Sequence, residues 1–322
     1  MKYLGICDAR LEDSEFLAED LKIIISELNN NKSTDFSPKV LKKVSSIVSP
    51  FLVKLFNNCY DQGYFPFELK TGKVIPIFKN KGDIIELSNY RPISMLSIFS
   101  KLFEKLIHKK LYIYLDSNNI INNNQFGFRA AHSTFHALAN ATENLYRSLD
   151  NNLHTLGIFI DFSKAFDTVN HEILCRKLKH YGICGKMLNL LTSYLSNRNQ
   201  FVYYGGNSSS KLDISLGVPQ GSVLGPLLFI IFINDIVNVT TLAKFVLYAD
   251  DSNVFVSHTD CFTLYRIANS ILNNIYMYCK ANQIVISYDK CCFIEFKRPL
   301  NAPKLKLSFL GIEVKPEKNV NF

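Results

Sequence analysis

The sequence predicts an α+β fold on three observations. Its first third carries apolar residues at helical spacing, its remainder from residue 156 alternates strand-length apolar runs with helical stretches, and two of those runs flank a turn bearing paired carboxylates. With 48% hydrophobic and 20% charged residues among 322, the chain can fill a large core. That balance excludes wholesale disorder, a collagen-like chain and a small disulfide scaffold. The length suits one large domain or two ordinary ones.

Taken in order, residues 14–28 set Phe16, Leu17, Leu21, Ile24, Ile25 and Leu28 on one 3.6-period stripe, so a helix is expected there. Ser37-Pro38 opens a second helix, because a proline in the first turn forfeits no intrahelical hydrogen bond. A third is expected over 98–115. Between them 73–78 is a β-type run ending in the basic turn Lys79-Asn80-Lys81-Gly82-Asp83. Residues 156–160 are apolar without interruption, which suits a strand covered on both faces. Helices are expected over 170–181 and 186–195, then hairpin strands over 201–204 and 212–215 around Gly205-Gly206-Asn207, then an apolar helix over 222–236. Strands over 244–248 and 253–257 flank the carboxylate turn. A long helix over 262–280 and a strand over 284–286 follow.

Lys plus Arg number 36 against 28 Asp plus Glu, a net charge of +8 that favours a polyanionic partner, with a merely basic surface as the alternative. Cysteines at 7, 59, 175, 184, 261, 279, 291 and 292 show no paired C-x-x-C spacing. They read as reduced thiols of an intracellular protein, in nucleus or cytoplasm, rather than as a disulfide framework or zinc site. The longest apolar stretch, 226–233, falls short of the roughly 20 residues of a membrane-spanning helix. Asp8 and Arg10 interrupt any signal-peptide core, so no membrane partner is expected. His132 and His136 lie four apart, but no glutamate follows the first, which argues against a zinc-protease motif.

Three carboxylates carry the chemistry. Asp161 ends the apolar run 156–160, and Asp250 with Asp251 forms the turn between two apolar strands. Adjacent carboxylates repel, and partial burial adds cost. Hard divalent cations with oxygen ligands relieve both, as in phosphoryl-transfer sites. A solvated Asp-Asp turn is the plain alternative for the dipeptide taken alone.

The surrounding motifs decide between them. Tyr248-Ala249-Asp250-Asp251, the upstream Asp161 and the intervening Gly217-Val218-Pro219-Gln220-Gly221 together resemble the palm of reverse transcriptases. The stretches Asp161-Phe162-Ser163-Lys164-Ala165-Phe166-Asp167 and Gly217 through Pro226, with Asn89-Tyr90-Arg91-Pro92-Ile93-Ser94 upstream, are similar to the non-LTR (LINE-type) retrotransposon branch. The resemblance runs over 32–314 with its motifs in the family's order.

The resemblance implies a right-hand polymerase: an N-terminal helical extension over 1–31, a fingers-like region over 32–155, and a palm over 156–322 with an antiparallel sheet packed on helices. It implies that Asp161 and Asp250, with Asp251 less directly, hold two Mg²⁺ ions, with Mn²⁺ as a substitute. Phe166 matches the ring that packs on the sugar of the incoming nucleotide and crowds a 2′-hydroxyl. Gln220 and Gly221, with Gly217 and Pro219, match the turn against nucleotide and template, where missing Cβ atoms permit close approach. Arg91, foremost, and Lys73, with Lys79 and Lys81, match phosphate-gripping positions of the fingers. Lys290 matches a palm lysine suited to protonating the leaving pyrophosphate, although the family shows Lys-Thr where this chain has Lys290-Cys291. Arg129, in Phe126-Gly127-Phe128-Arg129, corresponds to a template-side position, and Leu310 and Gly311 to the primer-supporting hairpin.

The implied partners are an RNA template, a DNA primer and deoxynucleoside triphosphates, with an RNA-binding protein of the element or separate thumb and endonuclease portions as further partners. Ser33-Thr34-Asp35-Phe36 stands where the family has a Gly-Pro-Asp-Gly-like turn. The expectation is a domain lacking endonuclease and thumb. An RNA-directed RNA polymerase shares the acid pair but not the bulk of Phe166, and a non-polymerising nucleic-acid-binding remnant is the reading from another class.

Overall fold

The computed structural model describes residues 3–5, 7–30, 35–296 and 305–317. The expected start of the fingers-like region at Lys32, the Ser33-Thr34 part of the divergent turn and the end of the palm at Phe322 lie outside them. In chain order the elements are α1 (Ala18–Ser26), α2 (Pro38–Lys43), α3 (Ser45–Asp61), β1 (Thr71–Phe78), β2 (Tyr90–Met95), α4 (Ile98–Ser117), α5 (Thr134–Asp150), β3 (His154–Ile160), α6 (His171–His180) and α7 (Gly185–Leu195). There follow β4 (Arg198–Tyr204), β5 (Asn207–Ser208), β6 (Leu212–Ile214), α8 (Leu224–Ile233), β7 (Lys244–Tyr248), β8 (Asp251–His258), α9 (Cys261–Asn282), β9 (Cys292–Phe296), β10 (Leu307–Phe309) and β11 (Ile312–Pro316). The mixture of helices and sheets agrees with the α+β expectation. No helix among the described residues is long and apolar enough to cross a membrane, and all eight cysteines are free thiols.

The chain forms two compact units, each assembled from separate stretches. The first comprises Cys7–Ile120 and Val169–Leu228. Its helix α1 buries Leu21, Ile24 and Ile25, as the periodicity predicts, but begins at Ala18 rather than at residue 14. The cause is Asn57, whose side chain accepts from the Phe16 amide at 2.8 Å and donates to the Phe16 carbonyl at 3.0 Å, holding that backbone out of helical pairing. The core gathers on Phe103 of α4, stacked on Phe56 at 4.5 Å and on Phe65 at 5.1 Å. Each such ring contributes about 1.5–3 kcal/mol on burial. Strand β2 is an addition to the sequence reading: it pairs antiparallel with β1, with Pro76 opposite Pro92. Prolines fit because β2 is an edge strand and the parallel β1–β4 ladder ends at Val74 opposite Val202, before Pro76 needs a donor.

The second unit comprises Met1–Ile6, Ile121–Thr168 and Phe229–Phe322. Its six-stranded sheet runs β10-β11-β9-β3-β8-β7. Strand β3 is central, with Ile158 opposite Val254 on one side and Phe293 on the other. One face packs Val246 and Phe255 against Ala137 and Ala141 of α5. The opposite face carries Phe293, whose ring meets Tyr265 of α9 at 6.3 Å. Leu156, Ile158 and Ile160 are accordingly buried, as the uninterrupted apolar run predicts.

Two sequence expectations change here. The sheet is antiparallel from β7 through β9, but β11 runs parallel to β9, with Lys315 opposite Cys292. The β10–β11 hairpin takes its direction from α9, where Asn269 bonds the Ser308 amide at 2.9 Å and the Lys306 carbonyl at 3.0 Å. Residues 284–286 are not a strand: Ile286 makes a single bridge opposite Phe162. That short stretch is consumed in tying down the end of β3, and the strand proper comes at β9.

Candidate active site

Asp161 lies one residue past the last β3–β8 pair, Ile160 opposite Ser252. Asp251 lies one residue before Ser252 in β8 and pairs with Tyr248 across the hairpin. Extending the register therefore sets Asp161 across from Asp251 on one face of the sheet. Asp250 occupies the two-residue tip together with Ala249, whose φ is 57°. The backbone of Asp161 is held by the following segment: Ser287 N–H donates to its carbonyl at 2.9 Å, and Ser163 N–H donates to the Val285 carbonyl at 2.8 Å. This anchoring brings the single helical turn Tyr288–Lys290 alongside, and Lys290 Nζ sits 3.2 Å from Oδ1 and 3.4 Å from Oδ2 of Asp161.

Burial raises the pKa of Asp250; the Asp161 charge adds to the rise, while its own backbone amide and Lys290 oppose it. Asp251 is raised by burial, then by Asp250 and Asp161, again against Lys290. Two carboxylates raised by burial and by acidic neighbours, with Asp161 and one lysine beside them, form a cation-seeking cluster. Their oxygens are the hard donors that Mg²⁺ and Mn²⁺ prefer. Among the described residues, no group of three or more His, Cys, Asp or Glu side chains is arranged to ligate a single ion. The donor chemistry thus fits a divalent ion, although no closed ligand cage is preformed. A cavity of about 600 Å³ opens beside the acids, lined by Asp161, Asp251, Tyr248, Lys290 and Asn253 with apolar walls from Phe135, Leu138 and Phe159.

Phe166, five residues after Asp161, is half-buried. It stacks on Phe229 at 4.5 Å and meets the Phe128 ring edge-on at 6.0 Å. Arg129 donates through Nη1 to the carbonyls of Asn122 at 3.2 Å and Gln125 at 3.4 Å, so part of its donor fork braces its own loop. Leu310 and Gly311 form the tip of the β10–β11 hairpin, with φ of 45° and 97°. The Leu310 amide donates to Asn273 at 3.2 Å. All these residues belong to the second unit.

The first unit holds the remaining candidates. The Gly217 amide donates to the Val169 carbonyl at 2.8 Å, and the Gly217 carbonyl meets His171 Nε2 at 2.7 Å. Pro219 O accepts from the Ser222 hydroxyl at 2.8 Å, and Gln220 O accepts from the Ser94 amide at 2.7 Å. Gly221 has φ of 107°, and a Cβ there would stand 2.6 Å from the Ser94 carbonyl, so glycine is required on two counts. Lys73 places Nζ 3.5 Å above the Tyr203 ring centroid, while Arg91 is exposed on β2 opposite Ile77.

Two positioning groups escaped the sequence reading. Glu104 is fully buried in α4 and accepts from the amides of Val223 at 2.6 Å and Leu224 at 3.2 Å, capping α8 from another helix. A lone acid amid Leu102, Phe103, Leu106 and Ile107 is the signal that could have found it. Gln125 is the other, and Gly127 lies so close to Ala249 that a Cβ would collide with the Ala249 backbone nitrogen.

The acid cluster at the end of the six-stranded sheet has the donor chemistry of a phosphoryl-transfer site. Residues 77–314 match the family described as reverse transcriptase (RNA-dependent DNA polymerase), and the chain belongs to that family. It is 28% identical over 288 residues to the RNA-directed DNA polymerase from mobile element jockey of Drosophila melanogaster, covering 86% of this chain and 31% of that protein. It is 33% identical over 215 residues to the probable RNA-directed DNA polymerase from transposon X-element of the same fly, covering 66% and 24%. A third relative there, the probable RNA-directed DNA polymerase from transposon BS, is 31% identical over 270 residues, covering 79% and 29%. The chain spans about a third or less of the length of these relatives. The resemblance read from the motifs is borne out.

Proposed function

We propose that this chain carries the catalytic core of an RNA-directed DNA polymerase of a LINE-type element, adding deoxynucleotides to a DNA primer on an RNA template. The observation that carries the reading is the meeting of Asp161, Asp250 and Asp251 at one end of the six-stranded sheet, with Lys290 on Asp161. In the right-hand reading these residues belong to the palm, and the β1–β2 hairpin with Arg91 belongs to the fingers.

Asp161 and Asp250 would hold two divalent ions, with Asp251 adding negative charge. The ions would lower the pKa of the primer hydroxyl and neutralise charge on the triphosphate. Lys290 stands within reach of Asp161 and is suited to give a proton to the departing pyrophosphate. Phe166, braced by Phe229, would pack on the sugar and exclude a 2′-hydroxyl. Gln220 and Gly221 would border the base and template, while Arg91 and the Lys79-Lys81 turn would meet phosphate.

The test is extension of a DNA primer on an RNA template by the purified chain, with Mg²⁺ or with EDTA and with dNTPs or rNTPs. The reading predicts Mg²⁺-dependent addition of dNTPs only. Extension that persists in EDTA, or that proceeds equally with rNTPs, contradicts it.

A further inference from the structure

We infer that Gln125 is a positioning residue that sets the carboxylate tip, acting through the backbone of Ala249; the inference rests on the polymerase reading of that tip. Gln125 is 1% exposed. Its Oε1 accepts from the Ala249 amide at 3.0 Å and from the Gly127 amide at 2.8 Å, and its Nε2 lies 3.5 Å from the Ala249 carbonyl. One amide side chain therefore grips both polar groups of the residue that precedes Asp250.

The grip is continuous with a backbone ladder. The Leu247 amide donates to the Asn124 carbonyl at 2.8 Å and the Phe126 amide donates to the Leu247 carbonyl at 2.8 Å, so residues 124–126 extend the sheet beyond β7 by a short parallel bridge. Arg129 ties the carbonyls of Asn122 and Gln125 on the far side of the same loop.

Ala249 needs such support. A non-glycine residue at φ 57° is disfavoured, and two adjacent carboxylates, Asp250 partly buried and Asp251 exposed, would splay the tip if it were free to move. Gly127 admits the close approach, since any Cβ would strike the Ala249 nitrogen. The next residue, Phe128, then meets Phe166. A single loop thus braces the carboxylate tip at one end and the ring five residues past Asp161 at the other.

The experiment compares Gln125→Met, which keeps the unbranched shape but removes both acceptor and donor, with Gln125→Glu, which keeps the acceptor for both amides. Two readouts are taken on the full chain: amide hydrogen exchange at residues 248–251 in EDTA, and Mn²⁺ affinity by electron paramagnetic resonance, with Asp250→Asn marking the specific site. In Gln125→Met, exchange at the tip should quicken at least tenfold while the β3 core stays protected, and Mn²⁺ should bind about tenfold more weakly. Gln125→Glu should restore slow exchange. Unchanged tip exchange and Mn²⁺ affinity in Gln125→Met overturn the inference and leave the polymerase reading standing. Loss of protection through β3 in both variants also overturns it, by showing a general core role. A wild-type chain whose Mn²⁺ binding is indifferent to Asp250→Asn overturns the metal reading and this inference with it.

Discussion

Lys290 sets its ammonium 3.2 Å from Oδ1 of Asp161, although the two are 129 positions apart. The contact follows from the Ser287 amide bonding the Asp161 carbonyl, which anchors the turn bearing Lys290 at the end of β3. The lysine partly offsets the neighbouring carboxylates, and in the proposed reading it gives a proton to the departing pyrophosphate. Lys290→Met should therefore slow single-nucleotide addition about 10²-fold, the lower end of a lost general acid. Lys290→Arg, which keeps the charge but yields a proton poorly, should remain slow in rapid-quench measurements.

The acid tip carries a pH signature. Asp250 and Asp251 have folded-state pKa values raised first by burial, above the ordinary 3.8. A raised carboxylate binds its proton more tightly folded than unfolded, so its ionised form opposes folding near neutrality. That penalty is relieved as pH falls through the folded value toward 3.8. Thermal unfolding in EDTA should show Asp250→Asn more stable than wild type at pH 8, with the gap closing as pH falls toward 3.8. The same shift means that Mn²⁺ uptake is lost on acidification before an ordinary aspartate pair would lose it.

Phe166 is both packed and presented: its face lies on Phe229 and its edge on Phe128. Phe166→Val should leave a partial void costing about 1–2 kcal/mol, less than a full truncation in a closed core. It should also lower the preference for dNTP over the matching rNTP at least tenfold. Urea unfolding checks the first and single-nucleotide addition the second.

Glu104 is a buried acid whose carboxylate accepts two α8 amides. Burial raises its pKa, and Arg198 with the Val223 and Leu224 amides works against that rise. Glu104→Leu strands both amides and should cost about 2–4 kcal/mol in urea unfolding, whereas Glu104→Gln, which keeps an acceptor, should cost less.

Much of the acid cluster was legible because its parts are local: a carboxylate at the end of an apolar strand and two adjacent ones where β7 and β8 meet. Helix α4 and strand β3 were equally plain from their apolar periodicity. What was hidden depends on contacts between distant residues. The start of α1 is set by Asn57, 41 positions from Phe16, and Gln125 meets Ala249 across 124 positions. Strand β2 was masked because Pro92 argues against a strand until an edge position makes the proline harmless. The short apolar stretch 284–286 shows the converse, since strand-like composition there serves a single bridge to Phe162.

The central claim is that Asp161 and Asp250 perform metal-dependent nucleotide addition, and rapid-quench single-nucleotide addition on an RNA template tests it most directly. Asp161→Asn and Asp250→Asn preserve side-chain volume, so circular dichroism and RNA binding should match wild type. Nucleotide addition should fall by at least about 10²–10⁴-fold, the scale of a lost catalytic role. Either variant, folded and soluble, adding nucleotides at the wild-type rate would contradict the account.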